Sequence, residues 1–301
     1  MDLSIVIPSF NGERLLPELL SDIGRALGSG LSWEVIVADD ASTDSSVPLI
    51  RGGYPWVKLI EGKENLGFGG NCNRGGEASR GEFLAFVNTD IRFDSDPFLP
   101  LIEALASDAS LFALMPLIFA EGLNRIENLN RIWKRRGLVW LRPRLDLPLS
   151  HVPEVQSALE RQAVVPAPLC GAFFVCRRGL FDELGGFARE FGPAYWEDVD
   201  LGLRAEAGQY GVAVVPRILV RHLHSRTMDT ALGDRRKRSL LLRNQALLIE
   251  RHLDRLAPLP WYRWYLALRL PQRILAGELA TAASYWRLIC GCRRKRSYAR
   301  M

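Results

Sequence analysis

Four groups of residues in this chain have the types and spacing to do chemistry. Asp39-Asp40 closes one apolar run and opens Ala41-Ser42-Thr43-Asp44. Asp90 ends Asn88-Thr89-Asp90 after another. Glu197-Asp198-Val199-Asp200 packs three carboxylates into four positions, and His222 and His224 are two of only four histidines. Carboxylate oxygens hold hard divalent cations, and a neutral imidazole completes such a shell. A cation held this way neutralises a departing anion as a Lewis acid. An Asp is ionised at neutral pH, from a reference pKa of about 3.9, so it accepts a proton from an attacking hydroxyl without tuning. Each group also has a plainer reading. Asp90 suits a strand-end turn or a helix cap, Asp40 and Ser42 suit N-caps, and the histidines suit surface or core. Three acids in four positions suit a helix N-terminus through its dipole, although like charges this dense are otherwise solvated or used.

These residues need elements to position them. Residues 3–7, 34–38, 57–60 and 83–87 are short β-rich runs that read as buried strands. Between them, 13–27 carries Leu15, Leu16, Leu19, Leu20, Ile23 and Leu27 at helical spacing; 42–50 suits a short helix, and 70–79 a helix despite its glycines. Strand character resumes at 172–176 and 212–215. Strands alternating with helices predict an α/β layer with a mostly parallel sheet, whose ligands sit beyond the carboxyl ends of the strands. Ser9-Phe10-Asn11, Asp39-Asp40 and Asn88-Thr89-Asp90 all fall at such ends. Three ends delivering polar groups to one crevice is a stronger signal than any one of them.

Residues 121–163 differ: Arg125, Arg131, Lys134, Arg135, Arg136, Arg142 and Arg144 crowd around Trp133 and Trp140, which reads as a basic loop excursion near the site. The net charge of +5 hides an asymmetry, because 231–301 holds 16 Lys and Arg against 4 Asp and Glu. A tail this basic expects an anionic partner or a solvated face. Within it Leu275, Leu279, Ala282, Trp286 and Ile289 recur as one helical face, downstream of Trp261, Tyr262, Trp264 and Tyr265 with Arg263 and Arg269 interleaved. That pattern suits a helix on an anionic membrane surface or one packed on the catalytic domain. The five cysteines, Cys72, Cys170, Cys176, Cys290 and Cys292, form no CxxC and no zinc spacing, which suits a reducing cytoplasm. The start, MDLSIVIPSF, is not patterned as a secretory signal, and no run of about 18 apolar residues predicts a span.

Six ordered blocks resemble the glycosyltransferase family 2 enzymes. They are Ser4-Ile5-Val6-Ile7-Pro8-Ser9-Phe10-Asn11; Val37-Ala38-Asp39-Asp40-Ala41-Ser42-Thr43-Asp44; Asn65-Leu66-Gly67-Phe68-Gly69-Gly70 with Asn73-Arg74-Gly75; Phe86-Val87-Asn88-Thr89-Asp90; Gly171-Ala172-Phe173-Phe174 with Gly185-Gly186-Phe187; and Trp196-Glu197-Asp198-Val199-Asp200-Leu201. The similarity runs over residues 3–226 and reaches Arg243-Asn244, a pair most similar to the bacterial rhamnosyltransferase-like subgroup. It implies an α/β GT-A fold, a Rossmann-like mostly parallel sheet flanked by helices, with a C-terminal helical extension. It implies an inverting enzyme of polysaccharide biosynthesis that moves a sugar from a nucleoside-diphosphate donor (a dTDP- or UDP-sugar) to a hydroxyl of a glycan or lipid-linked acceptor. By the same resemblance Asp198 is the general base. Asp90 and His222 hold Mg2+ or Mn2+, with His224 the alternative ligand. Pro8, Phe10, Asn11, Asp40, Asn65, Gly67, Asn73 and Asn88 take the nucleotide-sugar, and Trp196 and Glu197 lie on the acceptor side. The sequence departs from the family at Asn88-Thr89-Asp90, which leaves one carboxylate of the usual acidic pair, and at Ala188, where an Asp often follows Gly-Gly-Phe. Arg221-His222-Leu223-His224-Ser225 lacks the usual glycines and leaves both histidines open.

The division expected is a catalytic domain over 1–230, with a nucleotide-sugar half at 1–115, the basic excursion at 121–163 and an acceptor and metal half at 164–230. A basic amphipathic tail follows over 231–301. The expected location is cytoplasmic, peripheral on the inner face of the plasma membrane. A nucleotide-sugar enzyme of another class needs a Gly-rich phosphate loop after the first strand, where Ser9-Phe10-Asn11-Gly12 stands. A dinucleotide oxidoreductase needs G-x-G-x-x-G there. A non-catalytic protein on the same fold has no reason to carry Asp40, Asp90, Asp198 and His222 together. No nucleic-acid module accompanies the basic tail, so nucleic acid is not expected as a partner.

Overall fold

The computed structural model describes residues 1–28, 30–135, 138–144, 150–223, 227–252, 256 and 262–290; His224, Trp261 and Cys292 lie outside the described residues. The strands β1 (Leu3–Ser9), β2 (Trp33–Asp39), β3 (Val57–Glu61) and β4 (Phe83–Val87) lie parallel in the order β3-β2-β1-β4. The chain runs outward from β1 to β3 and then returns to pair β4 on the other side of β1. This reversal is the switch point at which open α/β sheets bind ligands. The sheet continues beyond β4 through antiparallel β11 (Phe173–Arg177), then β6 (Leu111–Ala120), β12 (Gly211–His222) and β10 (Val165–Pro166). The short strands β5 (Ile91–Arg92) and β7 (Arg125–Ile126) pair with β12 and β6.

The helices are α1 (Leu16–Ala26), α2 (Ser46–Gly53), α3 (Gly67–Glu77), α4 (Phe98–Ser107), α5 (Val152–Leu159), α6 (Arg178–Glu183), α7 (Glu197–Ala207), α8 (Thr227–Arg251), α9 (Tyr262–Leu275) and α10 (Leu279–Cys290). The sheet is buried on both faces, which is why its strands read as continuous apolar runs. Ile5 and Ile7 of β1 face a layer with Leu16, Leu19 and Ile23 of α1 and Phe98 and Leu101 of α4. Val6, Leu84 and Phe86 face the opposite layer, with Phe174, Phe181 and Phe187. Phe86 stacks on Phe174 at 5.0 Å between ring centres and meets Phe187 edge-on at 5.7 Å. Each ring buried this way stabilises the fold by roughly 1.5–3 kcal/mol. Helix α3 is rich in glycine because it lies hard against the sheet: a Cβ on Gly75 would stand 2.3 Å from Cγ1 of Val6.

Two boundaries differ from the sequence reading for local reasons. α2 begins at Ser46, not at residue 42, because Ser42 and Asp44 serve the loop before it: Ser42 Oγ accepts the Asn11 amide, and Asp44 accepts those of Glu13 and Ser46. β12 runs past Val215 through a register shift to His222, which lies opposite Ile91 inside the sheet. The segment 121–163 holds β7, a hairpin of β8 (Asn130–Arg135) with β9 (Leu138–Pro143), and α5.

The tail packs on the rest of the chain along one side. Ala246, Leu247, Leu248 and Ile249 of α8 bury against Phe191, Val199, Leu203 and Val139, joined by Leu266 and Tyr285. The stripe from Leu275 to Ile289 is divided between two helices. Gly277 adopts a left-handed φ of 73°, Glu278 N–H donates to Arg273 O at 2.9 Å and Gly277 N–H to Ile274 O at 2.9 Å. That pair of bonds closes a helix with glycine one step past its cap.

Candidate active site

The loops at the carboxyl ends of β1 and β2 are laced together. Asn11, in the left-handed region at φ 52°, donates its amide to Ser42 Oγ and accepts from Thr43 N–H through Oδ1 at 2.9 Å. Phe10 beside it is exposed, and Pro8 of β1 is partly exposed between buried Ile7 and Ser9. Asp40 is buried, and its two carboxylate oxygens accept the backbone amides of Leu66 and Gly67, each at 2.9 Å, with Arg74 at 3.5 Å. Burial outweighs these partners and raises its pKa above the ordinary value. Asn65 accepts the Gly67 amide at 3.1 Å. Gly67 needs its φ of 74°, since a Cβ there would meet Pro193 O at 2.4 Å. Asn73 faces the buried side of α3, where its side chain donates to Phe187 O and accepts from Phe187 N–H, both at 2.8 Å. It thereby fixes the Gly185-Gly186-Phe187 turn to α3.

Beyond β4, Asn88 donates its amide to Ala172 O at 3.0 Å. Asp90 is buried, with Oδ1 3.1 Å from Nε2 of His222. The other ring nitrogen of His222, Nδ1, lies 2.6 Å from Oε1 of Glu127. Burial alone would lower the pKa of this imidazole; hydrogen bonds and charge from Asp90 and Glu127 overturn that and push it up to about 10. Glu127 is the residue that sequence reasoning missed. It follows β7 and donates its amide to Ile118 O at 3.0 Å, so a long-range pairing delivers it 95 positions from its histidine. No local pattern around it points to the site.

Asp198 lies in the first turn of α7, partly exposed. One of its oxygens accepts the Gly171 amide at 2.9 Å and the other accepts the Val199 amide at 2.8 Å. Burial first, and then the charge of Glu127, hold its pKa above the ordinary value. Gly171 and Ala172 therefore form a bridge: one amide meets Asp198, and the next carbonyl meets Asn88, two residues before Asp90. Glu127 links the two groups: it lies against His222, which meets Asp90, and its charge reaches Asp198. Glu197, next to Asp198, is buried with Oε2 unpartnered, and burial and the Asp198 charge raise its pKa well above the ordinary value. The indole N–H of Trp196 is likewise buried without a partner.

Tyr195 and Trp196 both hold left-handed φ angles, 78° and 73°, unusual for large side chains. Asn244 of α8 holds this turn. Its amide nitrogen donates to the carbonyls of Phe191, Ala194 and Tyr195 at 2.6, 2.8 and 2.9 Å. Arg243 adds bonds to Glu190 O and Gly192 O. Deeper in the same joint, fully buried Asp200 accepts from Arg204, Arg251 and His252.

The donor set fits a hard divalent cation. Asp90 Oδ1 and His222 Nε2, paired at 3.1 Å, are an oxygen and an imidazole nitrogen of the kind that would hold Mg2+ or Mn2+. Among the described residues no group of three or more His, Cys, Asp or Glu side chains is arranged to hold a metal ion.

Comparison with known proteins gives the same architecture. Over 248 residues the chain is 28% identical to N-acetylglucosaminyl-diphospho-decaprenol L-rhamnosyltransferase of Mycobacterium tuberculosis, covering 76% of this chain and 79% of the relative. It is 30% identical over 114 residues to a dolichol-phosphate mannosyltransferase of Pyrococcus furiosus, 37% of this chain and 32% of that one. Against that relative and the dolichyl-phosphate β-glucosyltransferase of Dictyostelium discoideum, the chain spans about a third of their length. Among solved structures it superposes on S. aureus TarS 1-349 with UDP at a TM-score of 0.58 and 15% identity, covering 99% and 93% of the two chains. A GalNAc-T7 structure with UDP, GalNAc and Mn2+ gives 0.67 and 17%, covering 97% and 55%. These likenesses show the GT-A fold. The profile of Glycosyl transferase family 2 matches residues 4–185, more than half of the chain. On that match the chain belongs to glycosyl transferase family 2.

Proposed function

We propose that the chain is an inverting, metal-dependent glycosyltransferase that moves a hexosyl or deoxyhexosyl unit from a nucleoside-diphosphate sugar to a hydroxyl of a lipid-linked or cell-surface glycan. The observation that carries this is the link between the Asp90–His222 pair and Asp198, which run together through Asn88 and the Gly171-Ala172 segment. Pro8, Phe10, Asn11, Asn65 and Asn88 surround the donor, and Asp40, Gly67 and Asn73 frame it from behind. A UDP- or dTDP-sugar is the donor class, supported by the neighbours solved with UDP.

Asp90 and His222 would hold Mg2+ or Mn2+, which would supply neutralisation of the departing diphosphate. Glu127 would accept the hydrogen bond from Nδ1–H of His222 once the Nε2 proton is displaced, orienting the ring. Asp198 accepts the proton of the acceptor hydroxyl as that oxygen attacks the anomeric carbon. Two backbone amides fix the orientation of its carboxylate beforehand. A single base on the face opposite the departing diphosphate gives inversion. Trp196 and Glu197, beside Asp198 at the start of α7, are assigned to the acceptor side by their place next to the base. A polyprenyl-diphosphate-linked acceptor, suggested by the mycobacterial relative's name, places the work at the anionic inner face of the plasma membrane. The free cysteines Cys72, Cys170, Cys176 and Cys290 suit the reducing side.

Release of nucleoside diphosphate from UDP- and dTDP-sugars, with Mg2+ or Mn2+ and a panel of acceptors, tests the proposal. Asp198→Asn should lower turnover by about 10²- to 10⁴-fold and leave donor binding intact. Equal turnover by Asp198→Asn, or release unaffected by chelation, overturns it.

A further inference from the structure

We infer that α9 and α10 form a membrane-inserting hairpin whose outer side sinks into the boundary between head groups and acyl chains of an anionic bilayer. The inference rests on the reading of a lipid-linked acceptor and deepens it by naming the element that brings the crevice to that lipid.

These two helices are amphipathic the wrong way round for a soluble surface. Every exposed side chain described on them is uncharged, and Gln272 is the polar exception among apolar and small residues. Trp264 and Leu268 are each 76% exposed and Leu275 is 89% exposed; their spacing of four and seven places them on one helical face. Leu279 is 68% and Trp286 59% exposed, in line with Ala283 along α10. Leu275 and Leu279 flank the glycine turn, so the apolar row continues through it. The charges point elsewhere. Arg273 pairs with Glu278 at 2.7 Å and Arg287 with Glu250 at 3.2 Å, both partly buried, and Arg269 bonds Gln272. The opposite side of the pair is already satisfied, with Leu266, Ala282 and Tyr285 buried against α8 and its neighbours.

Soluble monomers rarely leave so many large apolar side chains together in water. The occupant that suits them is lipid. No helix of the described residues is long and apolar enough to cross a membrane, so the pair lies in the interface. Tryptophans on both helices suit the depth of the head groups. Arg293-Arg294-Lys295-Arg296 follows α10 at once, and 231–301 carries 16 basic against 4 acidic residues. A cationic cluster this near in sequence to an apolar row favours an anionic leaflet. α8 carries the hairpin on one side and holds the turn before Asp198 on the other, so insertion fixes the crevice at a set relation to the membrane surface.

The test uses the full chain in flotation with phosphatidylcholine vesicles, with and without about 30% anionic lipid. Wild type should float with the anionic vesicles, and vesicles with brominated acyl chains should quench its fluorescence; Trp286→Phe should remove part of that quenching. A triple Leu268→Ser, Leu275→Ser, Leu279→Ser variant should lose partitioning by about tenfold or more while keeping its circular dichroism melt and its nucleoside diphosphate release with a short-chain acceptor. Equal flotation of the variant, absence of bromine quenching, or a wild-type dimer that the triple variant dissolves would each overturn the inference. Because flotation needs no turnover, a chain that inserts but transfers no sugar refutes the enzymatic reading and leaves the hairpin standing.

Discussion

His222 is gripped through both ring nitrogens, by Asp90 on one side and Glu127 on the other. A carboxylate behind a metal-binding imidazole fixes its tautomer and raises its basicity, and removing such a partner costs about 10- to 100-fold in metal affinity. Glu127→Ala should therefore weaken Mn2+ binding in the presence of UDP by about that factor, read by calorimetry; Glu127→Gln, which keeps an acceptor but not the charge, should fall between. Unchanged Mn2+ affinity in both variants removes Glu127 from the site. The contrast with its neighbours is instructive. Asp40, Asp90 and Asp198 stand beside strand ends or a helix start, where a polar residue after an apolar run marks itself. Glu127 reaches the crevice only because β7 turns back along β6, and that pairing leaves no mark on the residues around it.

The element that ties catalysis to the tail is the joint between α8 and the turn before α7. Tyr195 and Trp196 sit in a backbone conformation that costs large side chains of order 1–3 kcal/mol each, and Asn244 holds it through three carbonyls. Asn244→Ala should lower kcat more than it raises donor KM, because the turn it frees carries Trp196, Glu197 and Asp198 and not the donor pocket. Steady-state kinetics with varied donor decide this; a change confined to donor KM contradicts the assignment. Strands β1 to β4, β11 and part of β12 are legible as apolar runs and α1 by its helical spacing, whereas β6, apolar throughout, carries no turn signal that sets it apart. The tail was not, because its stripe from Leu275 to Ile289 keeps helical spacing straight through Gly277, and only the left-handed glycine shows that two helices share it. The basic excursion hid its hairpin similarly: Ile132 and Val139 face the third core, while arginines and tryptophans crowd the other side.

At the scale of the molecule, the tail and the sheet are held as one body by a buried charge cluster. Asp200, with no exposure, meets Arg204, Arg251 and His252. Burial works against its charge, yet the histidine hydrogen bond and the two arginines lower its pKa from 3.8 to about 2. A folded pKa below the unfolded one gives stability that is present above 3.8 and fades as pH falls toward 2. Asp200→Asn should thus cost about 3–5 kcal/mol near neutrality, since it strands buried cations. The gap to wild type should narrow in urea titrations as pH drops below 3.8; a pH-independent gap contradicts the account.

The three carbonyls that converge on one nitrogen have a consequence for how this sequence can drift. An Asp at 244 offers no hydrogens, and a Gln overshoots by a methylene, so neither near relative of asparagine meets all three. The exposed faces of the last helices impose no such demand, whereas position 244 joins His222, Arg251 and His252 among the sites where the fold dictates the side chain.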